Sequence, residues 1–232
     1  MATERLRQRR LSWLRRDYLT YRALWPALAS AAQAALGGRS GAGLVVVDVG
    51  CGERPYADFF GEAWQIGLDR SLDGACPDIL ADACRLPLAS GCADIVLCTQ
   101  VIEHVPEPVA LVAECARLLR PGGQLLLSGP FWWPLHEEPH DYQRFTRHGL
   151  RCLLQRADLL VLDLAPDCGA MTAAVVAVIE ALPRQARLLI PLLNLLAPLL
   201  QALSSDRRAT LNWVVRAGKP HAPVRPGIGD GG

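Results

Sequence analysis

Residues 45–53 read Val45-Val46-Val47-Asp48-Val49-Gly50-Cys51-Gly52-Glu53. An apolar run with one acid in it breaks into a Gly-x-Gly turn. Such a run has the composition of a strand buried on both faces of a parallel sheet. The glycines admit turn geometries closed to other residues and let backbone approach a ligand closely. In open α/β sheets ligands bind beyond the carboxyl ends of the strands, where the strand order reverses. This stretch therefore predicts both a fold class and the place of a site.

Reading outward, further short apolar runs follow: Ile66-Gly67-Leu68, Ile79-Leu80, Ile95-Val96-Leu97, Leu125-Leu126-Leu127, Leu159 to Leu162 and Trp213-Val214-Val215. Helical patterns lie between several of them. In the clearest, Pro108 to Leu119, Val109, Leu111, Val112, Cys115, Leu118 and Leu119 share one face, and Pro121-Gly122-Gly123 is expected to close the helix. Alternating strands and helices predict an α/β fold: a Rossmann-like, doubly wound, mostly parallel seven-stranded sheet with helices on both faces. A helical segment is expected over residues 5–36, split or kinked at Pro26, and Gly37-Gly38-Arg39-Ser40-Gly41 is expected as a break. One domain is expected over 1–218, with an apolar helical insertion at 168–206. The Pro- and Gly-rich stretch from Lys219 to residue 232 is expected to be a disordered tail.

Bulk properties narrow the function classes. The chain has 232 residues, half of them apolar, and can bury a core of its own. A net charge of +1 offers no general electrostatic case for a nucleic-acid partner. Of the eight cysteines, none forms Cys-x-x-Cys, and several sit inside apolar runs, so they read as reduced small apolar residues. The N-terminus is Arg-rich but lacks the apolar core of a signal peptide. Together these predict a cytoplasmic protein.

Asp69 ends the second strand about 20 residues after the first, where a carboxylate can accept hydrogen bonds from both hydroxyls of a ribose. Asp82-Ala83 follows the third strand, where an adenine amino group would be read. A dinucleotide site would want a third glycine, but Gly50-Cys51-Gly52 continues as Glu53-Arg54-Pro55, with an acid where a pyrophosphate would approach. That favours a nucleoside ligand without phosphates over NAD.

The ordered set resembles the class I S-adenosylmethionine-dependent methyltransferases. Its pieces are Val47-Asp48-Val49-Gly50-Cys51-Gly52, Gly67-Leu68-Asp69, Asp82-Ala83-Cys84-Arg85-Leu86-Pro87-Leu88, Ala93-Asp94-Ile95-Val96, Val101-Ile102-Glu103-His104-Val105-Pro106-Glu107-Pro108 and Leu118-Leu119-Arg120-Pro121-Gly122-Gly123. The resemblance implies S-adenosylmethionine as cofactor and methyl transfer as activity. It places Gly50, Cys51 and Gly52 against the methionine moiety and Asp48 near its ammonium. It gives Asp69, with Arg70 beside it, the ribose, gives Asp82 and Ala83 the adenine, and puts Thr99 and Gln100 in the methyl-transfer channel. One departure is Arg54, where the family often carries a third glycine.

His136-Glu137-Glu138-Pro139-His140 matches the zinc-protease pattern H-E-x-x-H. That pattern needs both histidines on one helix face, and Pro139 disfavours a helix there, so it reads as a chance match. With Asp141-Tyr142-Gln143-Arg144-Phe145-Thr146 it resembles instead an acceptor loop in one branch of these methyltransferases, with Thr146 as N-cap of the next helix. Gln100-Val101-Ile102-Glu103-His104 resembles a Glu-x-x-Glu-His cation motif, but a neutral Gln100 replaces the first carboxylate, so no metal site is expected. His104, His136 and His140 are the candidate general bases. The expected acceptor is a small molecule, a lipid-linked compound or a glycan, methylated at oxygen. A non-catalytic binding protein and an NAD-dependent reductase stand as alternatives. Residues 169–203 are expected to form a lid, a homodimer surface or a peripheral membrane contact.

Overall fold

The computed structural model describes residues 12–221. The chain begins with turns over residues 12–17 and then α1 (Tyr18–Leu36), which runs through Pro26 and ends where Gly37 turns left-handed at φ 59°. The helix expected over 5–36 therefore starts later, and residues 5–11 lie outside the described residues. Then come β1 (Val45–Val49), β2 (Trp64–Asp69), β3 (Ile79–Leu80), β4 (Ala93–Thr99), α2 (Pro108–Leu118) and β5 (Leu119–Pro130). The remainder is α3 (Arg147–Arg156), β6 (Leu160–Pro166), α4 (Ala170–Ala181), α5 (Ile190–Ala202) and β7 (Asn212–Gly218).

One seven-stranded sheet runs in the order β3-β2-β1-β4-β5-β7-β6. β7 lies antiparallel between β5 and β6, and the other pairings are parallel. The order reverses beside β1, so the ends of β1 and β4 open a crevice there. The apolar runs work as two-sided strands because alternate residues meet different helices. Val46, Ile95, Leu97, Leu126 and Val214 pack with Leu24, Trp25 and Leu28 of α1. Val47, Val96, Cys98, Leu125 and Leu127 pack with Leu111, Val112 and Cys115 of α2 and with Leu150 and Leu154 of α3. A third cluster joins α4 and α5 to Leu19 of α1 and to Leu211.

Three details differ from expectation. Between β1 and β2 the chain makes only the short 3-10 turn Ala57–Phe60, so that crossover has no full helix. α2 ends at Leu118, and Pro121-Gly122-Gly123 lies inside β5 rather than capping the helix. Gly123 sits closely against its neighbours there, since a Cβ would lie about 3.0 Å from the carbonyls of Arg120 and Asp94. Lys219 is part of the folded body. Its ammonium donates to the carbonyls of Ala116 and Leu119 at 2.8 and 2.7 Å, serving the C-terminal end of α2. Residues 222–232 of the expected tail lie outside the described residues.

Candidate active site

The crevice at the ends of β1 and β4 is a cleft of about 570 Å³. One end is made by the loop after β1. Gly50 sits at φ 70°, and a Cβ there would lie 2.2 Å from Cγ2 of Val101. The amides of Gly50 and Cys51 both donate to the Leu68 carbonyl, and that of Gly52 donates to Asp69 Oδ2 at 3.0 Å. Asp69 also receives the Ser71 amide, so one carboxylate sets the loop and keeps lone pairs for a ligand.

Arg54 occupies the missing-glycine position in the left-handed conformation itself, at φ 54°. Its guanidinium lies across Gly67, pairs with Asp78 at 2.6 Å and donates to the Cys76 carbonyl. The loop thus keeps its shape without a third glycine. A glycine at 67 leaves room for the arginine.

Asp48 lines the cleft and is nearly buried. Burial raises its pKa to about 7, against the pull of Arg54. Asp17, which pairs with Arg15, and Glu53 and Glu137 also line the cleft, and among the described residues no lysine or arginine does. Such a lining suits a cationic ligand and opposes a pyrophosphate. The residues present therefore fit S-adenosylmethionine, whose ammonium and sulfonium are positive. Thr99 and Gln100 line the same cleft, with Gln100 held at φ 55° by amide contacts to Ser128. The ribose and adenine candidates lie beyond the enclosed part. Asp69, Arg70, Asp82 and Ala83 sit at the ends of β2 and β3, and Asp82 is exposed, accepting the Cys84 amide at 2.8 Å.

The opposite wall comes from distant segments: Thr20 and Tyr21 of α1, Trp133, His136 and Glu137 after β5, and His104 after β4. Asp141 and Arg144 hold the loop after β5. Arg144 grips both Asp141 oxygens at 2.6 and 2.8 Å and donates to the carbonyls of Trp133 and Pro134. This guanidinium, with the His136 amide, holds the Asp141 carboxyl well below the usual range against the cost of burial. Residues 136–146 form turns and extended chain rather than a helix, and Thr146 accepts the Gly149 amide as N-cap of α3.

His104 is oriented by a contact of 2.6 Å between its Nδ1 and the His140 carbonyl. A carbonyl only accepts, so Nδ1 carries a proton, and in the neutral ring Nε2 is the nitrogen with the lone pair. Nε2 lies 3.8 Å from carboxylate oxygens of Glu103 and Glu137. The His136 ring stands edge-on to His104 with centroids 4.7 Å apart. His140 contributes differently from expectation. Its backbone orients His104, while its exposed side chain meets the Tyr142 hydroxyl and does not line the cleft.

Sequence reasoning missed Glu103 as a site residue. It is fully buried, its carboxylate oxygens have no hydrogen-bond partner, and burial raises its pKa to about 8. One ligand atom each from Glu103, His104 and His136 come within 4.8 Å of one another, the one such grouping among the described residues. The two metal-like motifs of the sequence each supply part of it, and neither supplies it alone. The adjacency of an acid and a histidine in Glu103-His104 was the available signal.

The family profile described as "Methyltransferase domain" matches residues 47–127. The tRNA (carboxymethyluridine(34)-5-O)-methyltransferase ALKBH8 of Mus musculus is 35% identical over 106 residues, covering 41% of this chain and 16% of that protein. An uncharacterized methyltransferase of Mycobacterium avium is 36% identical over 108 residues, covering 41% of this chain and 43% of that one. The match thus spans less than half the length of either relative. In fold, the S-adenosylmethionine-dependent methyltransferase of Mesorhizobium loti superposes with a TM-score of 0.56 at 20% identity, over 87% of this chain and all of that one. Residues 47–127 are thus similar to a methyltransferase domain, and the fold is shared with a solved S-adenosylmethionine-dependent methyltransferase.

Proposed function

We propose that this protein catalyses methyl transfer from S-adenosylmethionine to a hydroxyl of a small-molecule, lipid-linked or glycan acceptor. One observation carries the reading. His104, with Nδ1 engaged by the His140 carbonyl, lines the same cleft as Gly50, Gly52, Thr99 and Gln100, which leaves Nε2 as the nitrogen that can take a proton.

When bound, S-adenosylmethionine supplies a methyl group already activated on a sulfonium that departs as a neutral thioether. The task left to the chain is alignment, exclusion of water and handling of one proton. Gly50 and Gly52 would let the donor's amino-acid end lie close to backbone, and Asp48 would pair with its ammonium. Asp69 would take the ribose hydroxyls. An acceptor hydroxyl entering beside Trp133 and Tyr21 would lose its proton to His104 Nε2. The Glu137 carboxylate, 3.8 Å from Nε2, would stabilise the resulting imidazolium.

Calorimetry with S-adenosylmethionine and with NAD, and transfer of labelled methyl to extract components, test the reading. We expect binding of the first ligand alone and label in an acceptor. With His104→Gln, donor affinity should hold while transfer falls by about 10² or more. NAD binding, or transfer indifferent to His104, would sink it. Stoichiometric divalent metal in the purified protein would replace the proton-acceptor role of the Glu103–His104–His136 group with a Lewis-acid one.

A further inference from the structure

We propose that the hairpin of α4 and α5 docks on an anionic lipid surface, with α5 lying in the headgroup plane. We further infer that the acceptor is an amphiphile presented from that surface, a part that rests on the methyl-transfer reading above.

The unexplained feature is the outer side of α5. Only Ile190, Asn194 and Ala197 are buried, one helical stripe facing the cluster of Leu19, Val176, Ile179 and Leu211. On the other side Leu192, Leu195 and Leu199 are 53%, 64% and 63% exposed, and Leu188 and Leu203 at the ends reach 84%. Exposed leucines are ordinary one at a time, but a continuous row is not. Prolines inside the segment do not break it, since Pro191 sits in the first turn and Pro198 lies within the helix.

Charge says what covers the row. Between residues 181 and 205 the only charged side chains are Arg184 and Arg187. Both are exposed, and neither is ion-paired among the described residues. A two-fold interface would bring this face against itself, and it holds no acid to meet those arginines. Anionic headgroups would. Asn194 also donates to the carbonyls of Trp13 and Arg15 at 2.7 and 2.8 Å, so the N-terminal segment is fastened to α5. That segment carries exposed Trp13 and Leu14, and Arg5, Arg7, Arg9 and Arg10 precede it in sequence. Tryptophan and arginine beside leucine is the composition of an interfacial element.

The helix lies on the surface rather than spanning it. Arg184–Ala202 is 19 residues long and apolar enough to cross by composition, but its first part, Arg184–Leu189, is a 3-10 turn. The 13 residues of α5 reach only about 20 Å, against a hydrocarbon core of about 30 Å. The hairpin also adjoins the cleft. Trp133 packs against its cluster and lines the cleft, and Leu19, buried in that cluster, precedes cleft residues Thr20 and Tyr21. An amphiphile seated in the bilayer would present its polar head at this wall.

The test is co-sedimentation of the full chain with phosphatidylcholine vesicles and with vesicles that also contain phosphatidylglycerol. We expect retention on the anionic vesicles that weakens with salt. Leu195→Gln/Leu199→Gln should cut it at least tenfold, and Arg184→Gln/Arg187→Gln should flatten the salt dependence, with thermal unfolding of both variants unchanged. Three results would overturn the docking: no retention on either vesicle, retention indifferent to both variants, or a dimer in sedimentation velocity that the leucine variant dissociates. None of these involves S-adenosylmethionine, so they are separable from failure of the methyl-transfer reading. For the acceptor, cell membranes and labelled S-adenosylmethionine should give label in the organic phase. Label confined to the aqueous phase would overturn that half.

Discussion

The two ends of the cleft are built by different means. The end proposed for the donor is backbone: a left-handed glycine loop whose amides reach one carbonyl and one carboxylate on the neighbouring strand. Its parts lie close in sequence and owe their positions to the parallel pairing of β1 with β2 and β4. The end proposed for the acceptor is side chains from α1, from the turn after β4 and from the loop after β5, the last clasped by Asp141 and Arg144. The first tolerates little change in backbone shape and the second little change in charge. One end can therefore be damaged while the other is spared.

Breaking the acceptor end should give the largest effect. Arg144→Ala leaves Asp141, whose side chain is 1% exposed, as an uncompensated acid. We expect a stability loss of about 3 kcal/mol by denaturant unfolding. Turnover should fall by roughly 10²–10³, while S-adenosylmethionine affinity by calorimetry stays within about twofold. Arg144→Lys should not restore turnover, because a point charge cannot reproduce the two-pronged grip and the carbonyl contacts.

Gly50→Ala breaks the donor end through shape alone. A left-handed φ and a clash with Val101 together should cost about 2–3 kcal/mol of stability, and donor binding should weaken in parallel. Adding Val101→Ala should recover the clash but not the dihedral strain, which divides the loss in two. Asp69→Ala should be milder, raising the donor Kd about tenfold, or ~1.4 kcal/mol, by removing ribose acceptors and loosening the Gly52 amide.

The smallest effect should appear in pH dependence. The folded-state pKa of Glu103 is raised to about 8, so the folded protein holds that proton more tightly than the unfolded chain. Its contribution is complete below the ordinary glutamate range and is lost as pH rises toward 8. Asp141 works in the opposite sense. Its lowered pKa adds stability above the ordinary aspartate range, which is lost on acidification. Unfolding measured at pH 5 and pH 9 should show Glu103→Gln losing less stability across that interval than the parent, by about 1 kcal/mol or more.

The donor end was legible in the sequence because its determinants are local. Val45 to Val47 could only be a doubly covered strand, and Gly50 and Gly52 follow it directly. Even the departure at Arg54 was visible, though not the reason it is tolerated, which is a guanidinium lying across Gly67 to reach Asp78. The acceptor end was only half legible. His104 and His136 stood out as residues, but the role of His140 could not be read, because its backbone rather than its ring does the orienting. Glu103 was passed over because its isolation from donors is a product of packing.

By itself the sequence determined the order of strands and helices, the doubly wound sheet and the glycine loop at its switch point, since hydrophobic periodicity and backbone sterics act over a few residues. Only the tertiary structure decided which histidine has Nδ1 engaged by a carbonyl and which histidines line the cleft. It alone buried Glu103 beside that histidine, turned Asp141 and Arg144 into a loop clasp, and left one side of α5 uncovered. Those outcomes depend on burial and on contacts between segments far apart in the chain, and desolvation and charge pairing are properties of the assembled neighbourhood rather than of any short stretch.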